Sequence, residues 1–187
     1  DKRDFKYGSI FGAEKYPRVF TRPLPDIDIP YQRRVPACVA CTFTFLNQYK
    51  SYLEHGEKLN LSWRKVHAET GEYKKGRHYR TVAKYMQIAG QPQDTYCPDL
   101  PELSEDNFML VALNSKGEQD ALKRKIGAYS FVSSNLDELL PALVREPIAI
   151  ALGGNNKDWS QSKKIIKKEN PTAWYHSICL WDYNLDE

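Results

Sequence analysis

The spacing of apolar residues divides the chain into an early helical part and a later mixed part. After Pro36, apolar side chains recur at helical intervals to about His55, which indicates one buried stripe on a helix. The stripe consists of Val39, Phe43, Leu46, Tyr49, Tyr52 and Leu53. Gly56 follows, and glycine commonly ends a helix. The pattern therefore predicts a central helix with Cys38 at its N-terminus.

Two shorter helices are predicted after the central one, and strands dominate from there. The helices cover residues 61–67, with Ser62 as the N-cap, and residues 79–89. The later part of the chain predicts strands over 108–113, 128–132, 148–152 and 176–183, and helices over 118–125 and 136–145. Helices first and strands later favour an α+β fold, in which a helical lobe packs against an antiparallel sheet or barrel lobe.

Glycine and proline recur through the first 35 residues, which disfavours a helix there. We expect residues 1–30 to form an extended N-terminal arm over the domain. Within this arm, the alternating stretch 23–30 predicts a short edge strand.

Length and composition narrow the class of protein. With 187 residues, 41% of them hydrophobic, the chain is expected to form a single domain spanning 1–187. The net charge of +3 is spread along the sequence and gives no indication of nucleic-acid binding. No apolar run approaches the ~18 residues of a membrane-spanning helix. The charged start, Asp1-Lys2-Arg3-Asp4, lacks the apolar core of a signal peptide. We therefore expect no membrane association.

The four cysteines, Cys38, Cys41, Cys97 and Cys179, do not have the spacing of a disulfide framework. Reduced thiols favour a cytoplasmic protein, with a secreted or phage-associated setting as the alternative. We further expect a monomer that needs no cofactor and no metal.

Three residue types at informative positions indicate thiol chemistry. Cys38 opens the central helix, Gln32 precedes it by six positions, and His176 opens a strand far downstream. A cysteine can attack a carbonyl carbon, a histidine can accept the thiol proton, and a glutamine amide can stabilise the resulting oxyanion. These three residues are the candidate catalytic set.

The same motifs resemble those of the papain-like cysteine peptidases, and most closely the compact bacterial and phage-type members. Gln32 and Cys38 have the family's glutamine–cysteine spacing, and the strand from His176 is similar to the family's histidine strand. The resemblance implies a two-lobed fold, hydrolysis of peptide or protein substrates without a cofactor, and substrate contacts at Gly76, Arg77 and Trp174.

The sequence departs from the family pattern in several places. Val39 follows the cysteine where the family has a bulky residue such as tryptophan, and Arg77 replaces the second glycine of the substrate loop. The third catalytic member, an asparagine, is expected beyond Glu187, together with C-terminal strands that the sequence does not include. An alternative register makes Cys41 the nucleophile, but it puts Val35, which has no side-chain donor, at the oxyanion position.

Other functions remain open at this level. Cys38, Cys41, His176 and Cys179 could supply four zinc ligands in a structural domain, although the two pairs fall on different elements. Cys38-x-x-Cys41 redox exchange, acyl transfer other than peptide hydrolysis, and a catalytically inactive papain-like domain that binds peptides or partners are further hypotheses. The remaining histidines, His55, His67 and His78, are expected to be solvent-facing or helix-capping.

Overall fold

The computed structural model describes residues 5–8, 15–161 and 170–186. Parts of the predicted N-terminal arm and of the loop before the last strands therefore lie outside the described residues. The described chain combines helices with small sheets, which confirms the α+β class.

The central helix α1 spans Cys38–His55, as the apolar pattern predicts. It ends at Gly56, which adopts a left-handed conformation with φ of 68° and donates its N–H to the Tyr52 carbonyl at 2.8 Å. Its beginning is different, because Ala37 precedes it and no side chain caps the first turn. The free N–H groups of that turn therefore stay at the end where Cys38 lies.

The buried surface of α1 is wider than one apolar stripe. Leu53 of the predicted stripe is 63% exposed, whereas polar residues are buried instead. Gln48 illustrates the reason: its side chain donates to the Asp28 carbonyl at 2.7 Å and accepts from the Leu61 N–H at 3.0 Å. A helix with neighbours on several sides can bury polar residues when each hydrogen bond is satisfied. The single-stripe prediction was therefore too narrow.

Six further helices and one short 3-10 turn follow α1 along the described chain. In chain order they are α2 Trp63–Glu69, α3 Tyr79–Ile88, the 3-10 turn Asp94–Tyr96, α4 Glu105–Met109, α5 Ser115–Leu122, α6 Leu136–Arg145 and α7 Asn156–Gln161. The predicted cap of α2 is confirmed, since the Ser62 side chain accepts from the Lys65 N–H at 3.1 Å.

The sheets are small. Strand β4, Ile148–Gly154, pairs antiparallel with β5, Trp174–Leu180, and places Leu152 opposite His176. Two shorter pairs link the termini to the body: β1 (Phe5–Lys6) runs parallel to β3 (Ser130–Phe131), and β2 (Val19–Phe20) runs antiparallel to β6 (Tyr183–Asn184). The hairpin β4–β5 packs against α1, and this contact is the centre of the fold.

Two predicted strands were wrong. Residues 108–113 do not form a strand, because Ser104 caps α4 by accepting from the Asn107 N–H, so that Phe108 belongs to a helix. Residues 23–30 form no strand either; the N-terminal segment pairs instead through β2, before the prolines of that stretch.

A buried arginine binds the C-terminal end of α4 and the loop that precedes this helix. Arg64 on α2 is 6% exposed, and its guanidinium donates to carbonyls of Phe108 and Pro98, both at 2.9 Å, and to the carbonyl of Leu110 at 2.9 Å. Backbone carbonyls of an irregular segment need such donors when they are buried. The hydrogen bonds of these carbonyls are therefore supplied by one arginine side chain and not by a neighbouring strand.

His67 is not solvent-facing, and that prediction was wrong. Its side chain is fully buried, with Nε2 at 3.1 Å from the Tyr73 carbonyl and the ring in edge contact with Phe108. Burial lowers the pKa of His67 to about 4. His55 and His78 are exposed, as expected.

We predict that Arg64→Met destabilises the fold strongly. The substitution keeps the aliphatic packing but leaves several buried carbonyls without their donors, so the free energy of unfolding should fall by about 3 kcal/mol or more. The matched control is Arg18→Met, because the Arg18 side chain is 73% exposed and pairs with Asp186 at the surface. That variant should change stability by less than about 1 kcal/mol. Chemical denaturation would measure both, and equal effects would contradict the role given to Arg64.

We also predict that His67 makes the free energy of unfolding sensitive to acid. Its folded pKa of about 4 lies below the ordinary value of 6.5, so the unfolded chain takes up the proton first. The neutral, buried form therefore contributes stability that is complete above pH 6.5 and is lost as the pH falls to 4. The loss should reach up to about 3 kcal/mol. Denaturation curves of His67→Gln should lack this part of the slope, whereas those of His55→Gln should keep it. Parallel pH dependences for wild type and His67→Gln would refute the prediction.

Candidate functional site

The segment that leads into α1 is a fixed turn. The Val35 N–H donates to the Gln32 carbonyl at 3.1 Å, and Ala37 and Val35 are buried. Arg33 adopts a left-handed conformation with φ of 54° and pairs with Asp99 at 3.0 Å. Positive φ is uncommon outside glycine and persists where the surroundings impose it. The turn thus holds half-buried Gln32 in a defined place before the helix.

Cys38 is the first residue of α1 and is half-buried. The first turn contains no acidic side chain and no side-chain cap. Free N–H groups and the positive end of the helix dipole are therefore available at this end, and both favour a negative charge. This environment can stabilise a thiolate.

The other three cysteines have a different environment. Cys41 is 8% exposed within the main core cluster, where burial raises its pKa and negative charge on Cys38 would raise it further. Burial also raises the pKa of Cys97 and that of Cys179, the latter to about 12. A thiol with a raised pKa stays protonated and reacts slowly. The buried Cys41 and the half-buried Cys38 therefore differ in environment, and Cys38, which the sequence favours as nucleophile, is the more accessible of the two.

His176 is the third residue of β5 and is half-buried. The Trp174 ring lies edge-on to the imidazole, with 6.5 Å between ring centroids. Trp174 is itself held by a hydrogen bond from its Nε1 to Asn156 at 2.8 Å and by contact with the Trp159 ring. Within the described residues, the imidazole of His176 has no hydrogen-bond partner.

Gly154 explains how Trp174 can occupy this position. The two residues are opposite each other in the β4–β5 register, and a Cβ on Gly154 would come within 2.1 Å of the indole ring. Only glycine leaves room for the ring at this distance. The placement of Trp174 beside His176 therefore depends on a glycine in the neighbouring strand.

Hydrogen bonds between side chains connect the strand of His176 to the helix of Cys38. Ser177, the next residue of β5, lies 3.0 Å from the hydroxyl of Thr42, and the Thr42 hydroxyl donates to the Cys38 carbonyl at 2.9 Å. Tyr79 at the start of α3 reaches Ser177 at 2.7 Å. The structure thus brings the elements that carry Cys38 and His176 together. Ser177, Thr42 and Tyr79 were not among the residues predicted from the sequence. The hydroxyl of Ser177 inside an otherwise largely apolar strand is the feature that could have indicated such a contact.

The three predicted substrate-contact residues differ in their exposure and in their contacts. Trp174 lies beside His176, and Gly76 is exposed with open space around it. Arg77 is only 9% exposed, and its guanidinium donates to the carbonyls of His67 at 2.7 Å and Glu72 at 2.9 Å. Its side chain therefore braces its own loop and is not available to a substrate. The predicted substrate contact at Arg77 therefore stays a prediction that concerns its backbone.

The zinc hypothesis finds no support in the geometry. Among the described residues, no group of three or more histidine, cysteine, aspartate or glutamate side chains is arranged to hold a metal ion. The four candidate ligands of the sequence therefore do not form one site. In the same part of the chain, no helix has both the length and the apolar character needed to cross a bilayer.

Comparisons of the sequence with protein-family models and with curated proteins found no match. Comparison of the structure gave clear neighbours. Xylellain, a cysteine protease from Xylella fastidiosa, superposes with a TM-score of 0.80 at 17% identity, covering 100% of this chain and 77% of that one.

Two further neighbours have lower scores. The cysteine protease CMS1MS2 of Carica candamarcensis, solved with E-64, has a TM-score of 0.61 at 13% identity, covering 84% of this chain and 72% of the neighbour. Digestive procathepsin L 3 of Tenebrio molitor has a TM-score of 0.66 at 12% identity, covering 84% of this chain and 51% of that chain. Proteins with such low sequence identity can share a fold without sharing an activity, so these similarities concern the fold. By the arrangement of its central helix and hairpin, the chain has the papain-like fold of the cysteine proteases.

Proposed function

We propose that this protein is a cysteine peptidase, with Cys38 as nucleophile, His176 as its acid–base partner and Gln32 as an oxyanion donor. The observation that carries the proposal is the hydrogen bond between Ser177 and Thr42. It ties the strand of His176 to Thr42, one turn into the helix that begins at Cys38, within a fold shared with cysteine proteases.

The chemistry follows from these groups. The Cys38 thiolate attacks the carbonyl carbon of a peptide bond, a C–S bond forms, and the carbonyl oxygen becomes an oxyanion. The Gln32 amide and the Cys38 N–H act as donors to that oxygen, each worth about 3–4 kcal/mol. Imidazolium at His176 gives its proton to the nitrogen as the C–N bond breaks. Water, deprotonated by His176, then hydrolyses the thioester and restores the thiol.

The fixed backbone of the turn before α1 supports this assignment. The turn before α1 is fixed by the Arg33–Asp99 pair and by the bond from Val35 to the Gln32 carbonyl, so the backbone of Gln32 is already in place before a substrate binds. Donors that need no rearrangement stabilise a developing charge best.

The substrates of the proposed enzyme are peptides or proteins. Gly76 is exposed and offers accessible backbone to a peptide, and the Trp174 ring beside His176 offers an apolar surface. Arg77 contributes its backbone alone, because its guanidinium is bound to carbonyls of its own loop.

We predict that iodoacetamide modifies Cys38 selectively in the folded protein at neutral pH. Cys41 and Cys97 are buried and their pKa values are raised, so they should react only after unfolding. Mass spectrometry of wild type, Cys38→Ala and Cys41→Ala would locate the label. Labelling should disappear in Cys38→Ala and persist in Cys41→Ala; the opposite result would move the nucleophile to Cys41.

We predict that peptidase activity requires all three residues, to different extents. Hydrolysis of a fluorogenic peptide mixture should fall about 10⁴-fold or more in Cys38→Ala and His176→Ala, and about 100- to 1,000-fold in Gln32→Ala. His55→Ala is the matched histidine control, because His55 is exposed at the far end of α1. It should retain wild-type kcat/KM.

A folded wild type that binds peptides but neither cleaves them nor reacts with E-64 would overturn the proposal. That result would assign the chain instead to catalytically inactive papain-like binding domains.

A further inference from the structure

Three hydroxyl groups form a continuous line that ends at the candidate nucleophile. Tyr79 lies 2.7 Å from Ser177, Ser177 lies 3.0 Å from Thr42, and Thr42 lies 2.9 Å from the carbonyl oxygen of Cys38. We call these three side chains the hydroxyl chain. It joins the start of α3, the strand β5 and the N-terminal part of α1.

The direction of the hydroxyl chain is determined by its last member. A carbonyl oxygen can only accept, so the single hydroxyl proton of Thr42 is used for Cys38. Thr42 must then accept from Ser177, and Ser177 must accept from Tyr79. Each hydroxyl donates once, and hydrogen bonds aligned in this way polarise one another.

The hydroxyl chain is largely shielded from water. Ser177 is 5% exposed and Thr42 is 7% exposed. Burial raises the pKa of Tyr79, and negative charge on Cys38 adds to the rise, so the phenol stays protonated and able to donate. Loss of one member would leave a buried partner without its hydrogen bond, which is costly where water cannot replace it.

Because of the position of Ser177 in β5, the hydroxyl chain can determine where His176 lies. Ser177 is adjacent to His176, and adjacent side chains of a strand point to opposite faces. A shift of one residue would therefore reverse the faces of both. The hydrogen bond from Ser177 to Thr42, near the start of α1, therefore sets the face of the strand on which His176 lies and the position of His176 along it.

We propose that Ser177 is a positioning residue for the dyad, with Thr42 and Tyr79 as its two anchoring partners. The hydroxyl chain holds β5 against α1 so that the imidazole of His176 and the sulfur of Cys38 keep a productive separation. This assignment rests on the proposed peptidase function and deepens it.

The test uses the full chain and substitutions that remove one hydroxyl at a time. Ser177→Ala, Thr42→Val and Tyr79→Phe should each lower kcat for peptide hydrolysis about 10- to 100-fold, with KM changed less than about twofold, because misplacement of a catalytic group slows the chemical step. The rate of Cys38 alkylation at neutral pH should fall in parallel. Its pH profile should move towards that of an ordinary thiol, a change that general loss of stability does not produce.

Two further variants serve as controls. Thr42→Ser keeps the hydroxyl and should retain kcat and the alkylation profile within about twofold, which makes it the conservative rescue. Thr44→Val removes an equally buried hydroxyl from the same helix, one that accepts from Gln91 at 2.6 Å instead of facing β5. It should lower thermal stability without moving the alkylation profile.

The outcomes separate this assignment from the function on which it rests. If wild-type Cys38 is alkylated no faster than a free thiol and no peptide is cleaved, the peptidase proposal fails and the positioning role falls with it. If wild type is active but Ser177→Ala and Thr42→Val keep its kcat and its profile, only the positioning role is refuted. Equal effects of Thr42→Val and Thr44→Val on kcat and the profile would also refute it.

Discussion

The contact between α1 and β5 is the interaction on which the rest of the structure depends. One helix end and one strand, distant in sequence, meet in a water-poor interface that is crossed by hydroxyl groups. The helix contributes an uncapped N-terminus without acidic side chains, where an anion is favoured. The strand contributes side chains at fixed intervals, so that one of them can be buried against the helix while its neighbour is directed elsewhere.

Arginine side chains stabilise the parts of the chain that are neither helix nor strand. Arg64 and Arg77 are buried and donate to backbone carbonyls of the loops around them. Arg22 does the same for the end of α6, where it donates to the Leu143 and Val144 carbonyls, and its guanidinium also lies over the Trp181 ring. A fold with small sheets has many buried carbonyls outside a ladder, and planar guanidinium groups can satisfy several of them at once. Rigid loops are a precondition for a site built on loops and element ends.

The surroundings of His176 show how packing can substitute for hydrogen bonding in orienting a ring. Trp174 contacts the imidazole from within the same strand, and its indole is fixed by Asn156 and by the space over Gly154. Contact with the indole in this way lowers the number of orientations that the imidazole can adopt. Gly154 and Trp174 lie opposite each other in the hairpin, so the two strands together determine where the indole lies.

The sequence by itself determined the central helix, its start after Pro36 and its end at Gly56, because apolar spacing, proline and glycine act over a few residues. It also identified Cys38, Gln32 and His176 as a chemically coherent set. Only the tertiary structure decided that His67 and Arg77 are buried, that residues 108–113 are no strand, and that Ser177 joins the two candidate catalytic elements. Each of these depends on a partner many residues away. Local patterns carry no information about such a partner until the chain has folded, since burial and hydrogen bonding are properties of the assembled neighbours.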